Sequence, residues 1–403
     1  MRLFFSSLVA IALCSTTPLL SHAQSGCTDP AASNYDVHAT INDGSCVYPL
    51  TRDTPTLKGY FGPDISESSG LVFTDGKLWT HNDSGNTPDF FSVDTATGAT
   101  LQTVVVDNFP NTDWEDITAD SNYIYLSDCG NNDGDRKDLK ILKIAKKDIG
   151  SGATVHVNAQ AINISYTDQT SFTTSSTNNF DCESVFSKGD SLYLFTKDRG
   201  DGGTRVYKVC KTPGTYALTP YTSYMVNGLI TGADFDPVKN EVILIGYLRS
   251  HASPFMWVLN DFSGDMFFSG NKRRIELGPA PEWQTEGVCY RSSGQLFISC
   301  ETNNGINASL YATDENWKPV PTSVAKIRKP LGIAISPNPT SDVLTITGYT
   351  PAKVRLYNTA GQLVIDTVNS KIISLEKLIP GNYYIRLCDD GNNVVYQQQI
   401  IKN

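Results

Sequence analysis

One alternation of apolar and polar positions recurs five times along the middle of the chain. It reads SESSGLVF from Ser66, DWEDITA from Asp113, FDCESVF from Phe180, ITGADFD from Ile230 and QTEGVCY from Gln284. Each phrase sets an acid or hydroxyl beside a small residue, then runs into a short apolar stretch of the kind that makes a buried β-strand. About ten residues later a second apolar run follows each phrase: KLWTHND, YIYLSDCG, SLYLFTKD, EVILIGY and QLFISCE. Third and fourth strands fit before the next phrase. Glu115, Glu183, Asp234 and Glu286 follow one another at spacings of 68, 51 and 52 residues, room for one four-stranded unit each. The expected fold is therefore all-β, a five-bladed β-propeller over residues 54–329. TLKGYF, at residues 56–61, precedes the first phrase as a fourth strand precedes every other one. It is expected to close the ring by joining the last blade, in competition with TSVAKI at 322–327. A six-bladed ring is the alternative, with a further blade in residues 137–179, but that stretch supplies only LKILKIA and VHVNAQAINISY.

The pattern changes at both ends. From residue 331 to 403 alternating apolar residues are punctuated by Gly, Asn and Pro turns, which predicts a small Ig-like β-sandwich. Residues 24–53 form a short module bounded by Cys27 and Cys46, expected to pair as a disulfide. Its Asp29, Asn34, Asp36 and Asp43 could hold a cation, although capping of backbone turns explains them more simply. Residues 1–23 carry Arg2, an apolar run and Ser21-His22-Ala23, the layout of a cleaved signal peptide. No other run is long enough to span a bilayer. Export permits further disulfides, Cys289 with Cys300 or Cys129 with Cys182, while Cys210 and Cys388 read as buried single thiols.

Composition narrows the function. The net charge of -10 disfavours nucleic acid and anionic membranes as partners, and favours cations or neutral ligands. In a propeller the start of each inner strand and the end of the second strand share one face of the channel. Ser69, Glu115, Glu183, Ser184, Asp234 and Glu286 are thus expected to converge as metal ligands. His81, Asp83, Asp128, Lys197, Arg199, Arg249, His251 and Glu301 should surround them as ligand-binding residues. Carboxylates facing one another at about 5 Å cost several kcal/mol unless a cation intervenes, and an all-oxygen set suits Ca²⁺. The competing reading has these acids accept backbone N–H groups of the neighbouring blade. DCGNNDGDRKD, from Asp128, lacks the spacing of an EF-hand loop and reads as an Asx-rich turn. No nucleophile elbow, phosphate-cradling glycine loop or dinucleotide fingerprint occurs.

Two resemblances add to this reading. Ser336-Pro337-Asn338-Pro339, LIPGNYYIRL and the basic end at Lys402 resemble the C-terminal sorting domain of the type IX secretion system over residues 335–403. That implies the type IX machinery as partner, passage across a Gram-negative outer membrane, and a secreted or surface destination reached through the periplasm. Within the body, ESSGLVF, WEDITA, CESVF and TEGVCY are similar to the calcium-activated nucleotidases, or apyrases. This implies a five-bladed ring with one channel Ca²⁺ held by Ser69, Glu115, Ser184 beside Glu183, and Glu286. The fourth phrase departs, offering Thr231, a glycine and Asp234. SGL with EGV also resembles secreted phytase-like propellers. The expected function is a calcium-binding surface module, acting as a monomer on a small molecule or glycan. A calcium-dependent phosphoester hydrolase and a structural or adhesive surface protein are the alternatives.

Overall fold

The computed structural model describes residues 24–249, 253–278, 283–291, 294–303, 305–315, 333–358, 363–389 and 394–403. The signal-peptide segment, His251 and the TSVAKI stretch lie outside these residues. The chain divides into two compact units, residues 1–318 and 319–403.

The first unit is built from β-branched and aromatic runs, which favour extended backbone. They form five sheets, antiparallel through their inner strands, whose first strands are Ser68–Thr74, Trp114–Ala119, Cys182–Lys188, Leu229–Asp236 and Thr285–Tyr290. Each pairs with the strand that follows it: Lys77–Asn82, Tyr123–Asp128, Ser191–Thr196, Glu241–Leu248 and Gln295–Cys300. The five first strands touch in cyclic order, the fifth returning to the first, so the architecture is a propeller-like ring. Five apolar clusters fill the five junctions between neighbouring sheets. Trp114 is fully buried at the first junction, edge-on to His81 at 5.9 Å.

Chain segments from before the ring lock it. Thr56–Tyr60 pairs with Ser309–Asp314 as the outer strand of the fifth sheet, in the place the sequence pattern gives it. Thr51–Asp53 adds a parallel strand to the fourth sheet. Residues 137–179 build no sheet of their own. LKILKIA becomes the third strand of the second sheet, while VHVNAQAINISY divides between two sheets. Thr154–Val157 extends the first sheet and Gln160–Tyr166 the second.

Cys27 and Cys46 are disulfide-bonded. Within that module the Asp and Asn side chains serve turns: Asp29 accepts the Ala31 amide, Asn34 the Val47 amide and Asp43 the Ser45 amide. The other expected pairings do not form, since Cys129, Cys182, Cys289 and Cys300 are free thiols. Cys289 faces Phe297 and Cys300 faces Thr285 across one ladder, a separation that rules out their bond. Cys210 is exposed rather than buried, because it ends the third strand of its sheet on the solvent side. In the second unit a three-stranded and a four-stranded sheet enclose one apolar core that includes Leu344, Leu356 and Ile385. No helix among the described residues is long and apolar enough to cross a membrane.

Candidate metal centre

The five inner strands share a local defect that the sequence phrases encode. Each carries a β-bulge near its start, where one residue has no partner on the second strand. The extra residues are Ser69, Glu115, Glu183, Thr231 and Glu286. The next position faces a crowded ring, which explains Gly70, Ser184, Gly232 and Gly287 there, while the second inner strand has Asp116. A Cβ on Gly232 would sit 2.4 Å from the Glu286 carbonyl oxygen, and one on Gly287 would sit 2.9 Å from the Gly70 backbone.

The hydroxyl and acid positions then divide. Ser69 Oγ donates to the Glu115 carbonyl at 2.8 Å, and Thr231 Oγ1 to the Thr285 carbonyl at 2.7 Å, so these two tie neighbouring sheets together. The fourth phrase therefore presents Thr231 at its bulge, not Asp234. Asp234 lies three residues further along and accepts the Phe235 and Tyr290 amides at 2.8 Å. Asp116 does the same with Ile117 and Val185. Burial raises both carboxyls, Asp234 to about 7. The stitching role weighed for all the inner acids falls to these two. Ser184 Oγ is buried with no hydrogen-bond partner among the described residues.

The three bulge glutamates are buried. Carboxylate oxygens of Asp83, Asp113 and Glu115 lie within 4.8 Å of one another, and so do those of Glu115, Asp181 and Glu183. Glu115 belongs to both groups, and its Oε1 has no hydrogen-bond partner. Gly130 makes room for it, since a Cβ there would lie 2.2 Å from Glu115 Oε1 and 2.4 Å from the Asp113 carboxyl carbon. Glu183 differs, being held by Lys197 at 2.8 Å and by Arg199 at 3.3 Å. Arg199 also binds Asp181 at 2.9 Å. Glu286 has one partnerless oxygen, Oε2.

Burial is the largest cause of every carboxyl shift at this mouth, and repulsion between the acids adds to it. It pushes Asp113 and Glu286 up to about 7 and Glu301 to about 8. Asp83, Glu115 and Glu183 rise as well, Glu115 under the added charges of Asp83 and Glu183. Lys197 is raised above its ordinary value by Glu183 despite its burial. Among the described residues of these groups no His or Cys contributes, so the donor set is carboxylate oxygen, suited to a hard cation.

Several expected ligand-binding residues have other employment. His81 is fully buried, its Nδ1 lies 2.9 Å from the Asn82 carbonyl, and burial lowers it to about 4, so it is a neutral packing residue. Asp128 is held by Arg136 at 2.9 Å and Lys140 at 3.2 Å, and accepts the Asp113 amide. Arg249 is exposed and donates to the Arg199 carbonyl at 2.9 Å. Asp83, Lys197, Arg199 and Glu301 remain at the mouth.

Asp113 and Asp181 are the site acids that the phrase pattern passes over. The signal for them is present: Asp-x-Glu occurs in both DWEDITA and FDCESVF, and a period of two puts both acids on one side of a strand. DCGNNDGDRKD is a clamp in this structure. It supplies Asp128, Gly130, an Asn131 amide to Asp181 at 2.7 Å, and Arg136 beside Asp113 at 3.9 Å.

Comparison with known proteins gives one family match. Residues 334–403 match the secretion system C-terminal sorting domain, as the Ser-Pro-Asn-Pro and LIPGNYYIRL phrases lead one to expect. This domain marks the chain for export, to the cell surface or the medium. No curated protein sequence matches the chain. Among solved structures it is similar to the PQQ-bound aldose sugar dehydrogenase of Streptomyces coelicolor, at 11% identity and TM-score 0.41, over 66% of this chain and 99% of that one. It is similar to a GH43 β-xylosidase/α-arabinofuranosidase from a compost microbial metagenome, at 10% identity and TM-score 0.39, over 64% and 94%. It is also similar to a gluconolactonase of Xanthomonas campestris, at 11% identity and TM-score 0.32, over 74% and 94%.

Proposed function

We propose that this exported protein is a surface or secreted binding module, a five-bladed propeller that holds Ca²⁺ at the acidic mouth of its channel. A small molecule or glycan then docks there, its oxygens completing the ion's shell. The observation that carries the reading is Glu115 Oε1, buried, without a hydrogen-bond partner and surrounded by four other carboxylates. A buried charge in that setting either keeps its proton or takes a cation. Asp83, Asp113 and Glu115 form the set free of lysine and arginine within hydrogen-bonding distance, so they are the first choice as ligands. Calcium is preferred to magnesium because it accepts more, and less regular, oxygen ligands.

A calcium-dependent phosphoester hydrolase would need cations free to meet phosphoryl oxygens. Lys197 and Arg199 are instead committed to Glu183 and Asp181, which favours binding over catalysis.

The test is calorimetric titration of chelator-treated protein with Ca²⁺ and with Mg²⁺, alongside thermal melts in each. One tight calcium site and a higher melting temperature are expected, because a ligand that binds only the folded state stabilises it. Titrations without heat and identical melts would overturn the cation reading. Phosphate release from nucleotides or phytate that disappears in Glu115→Gln would replace the binding reading with the hydrolase.

A further inference from the structure

The inner strands run from the acidic mouth to hairpin turns at their other ends, where cations and acids are mixed. The ends of all five strands and their turns surround an open cavity of about 690 Å³. That falls within the range of about 300–1,000 Å³ common for small-molecule sites. Its cations are Lys146, Lys188, Lys211, Lys239 and Arg291. Four are committed, Lys146 to Asp75, Lys188 to Asp265, Lys211 to Asp120 and Lys239 to Glu315. Asp234 of the lining accepts two backbone amides.

Arg291 is different. It donates to Gln295 Oε1 at 3.1 Å, and its guanidinium stands 5.8 Å from the ring of Phe73 and 5.6 Å from that of Phe297. Among the described residues no carboxylate forms an ion pair with it. Phe73 and Phe235, both half-buried, give the cavity aromatic surface beside this cation. We infer that the cavity is a second binding site, for a small organic anion with a flat apolar body, its charge met by Arg291 and its body by Phe73 and Phe235. Of the acids in the lining, Asp75, Asp120 and Asp236 lie in ion pairs with Lys146, Lys211 and Lys239, which limits their repulsion of such a ligand.

The probe is 8-anilinonaphthalene-1-sulfonate, an aromatic sulfonate that brightens in apolar surroundings, with uncharged N-phenyl-1-naphthylamine as its control. Titrations use the exported chain in chelator, so the outcome is independent of any cation at the mouth. Saturable binding of one sulfonate per chain is expected. Arg291→Gln should weaken it about tenfold, the scale of one charge-assisted hydrogen bond, and leave the neutral dye unchanged. Val238, 92% exposed on the turn at the rim, tolerates a charge without risk to the fold, so Val238→Glu should weaken the sulfonate alone. Sulfonate affinity unchanged in both variants, or equal losses for both dyes, would overturn the assignment, as would the absence of saturable binding.

Discussion

Glu115 and Glu183 occupy equivalent bulges, yet only Glu183 has its charge met, by Lys197 and Arg199. Cation binding is therefore expected to turn on Glu115. Glu115→Gln removes the charge while keeping the shape, and should abolish the rise in melting temperature produced by calcium. For the parent protein that rise corresponds to about 2.7 kcal/mol when calcium exceeds Kd about a hundredfold. Asp234→Asn is the contrast. It weakens two backbone contacts and should lower the melting temperature in chelator without changing calcium affinity. The mouth acids also set a pH dependence. Asp113 and Glu286 titrate near 7 and Glu301 near 8, all raised above their unfolded values. Such groups contribute stability that is fully present below about pH 4 and is lost progressively as pH rises to 7 and 8. Calcium competes with those protons. The difference in melting temperature between calcium and chelator should thus grow from pH 5 to pH 8. A flat difference would mean that these carboxyls do not hold the ion. Much of this site is legible in sequence, because Glu115, Glu183 and Glu286 recur at blade spacing. Spacing misplaces Asp234 because it fixes a position only to within a few residues: Thr231 and Asp234, 48 and 51 residues after Glu183, fit a blade alike. His81 and Asp128 read as mouth residues because a strand's end is visible in sequence and its side-chain partners are not.

At the scale of the strand, the bulge and the small residue after it form one device in four of the five inner strands, Asp116 taking that place in the second. The bulge turns a side chain toward the mouth, and the small residue lets the neighbouring strand approach. Gly232→Ala places a methyl 2.4 Å from a backbone oxygen that cannot swing away. Overpacking of this kind costs about 1–3 kcal/mol, and the variant should lose that much in denaturant unfolding. Gly76 is the control, with nothing within 4 Å of an added Cβ. Its φ of 75° makes Gly76→Asn the fitting replacement, expected to be nearly neutral. The bulge recurs in all five phrases, which makes the inner strands the most legible elements. The outer strands were less so. VHVNAQAINISY reads as one strand, but Asn158 and Ala159 separate two strands that join different sheets. Outer-strand pairing depends on which neighbour has an open edge, and nothing local in the sequence records that.

At the scale of the molecule, the ring is closed by residues that precede it. Thr56–Tyr60 completes the fifth sheet and Thr51–Asp53 extends the fourth, so the ring's last sheets depend on its first residues. Among the described residues the sorting domain supplies no strand to any of the five sheets. Export and cation binding should therefore separate cleanly. A chain ending at residue 330 retains every strand of the ring, and it should keep the calcium-dependent melt of the full protein. It should nevertheless fail to reach the cell surface or the medium, and accumulate inside the outer membrane. Cell fractionation with an antibody to the ring reads the location, and the melt of the recovered protein reads its integrity. Surface delivery of the shortened chain would show that residues 331–403 are not the address. Retention together with a lost calcium response would mean that misfolding, rather than a missing address, keeps the protein inside.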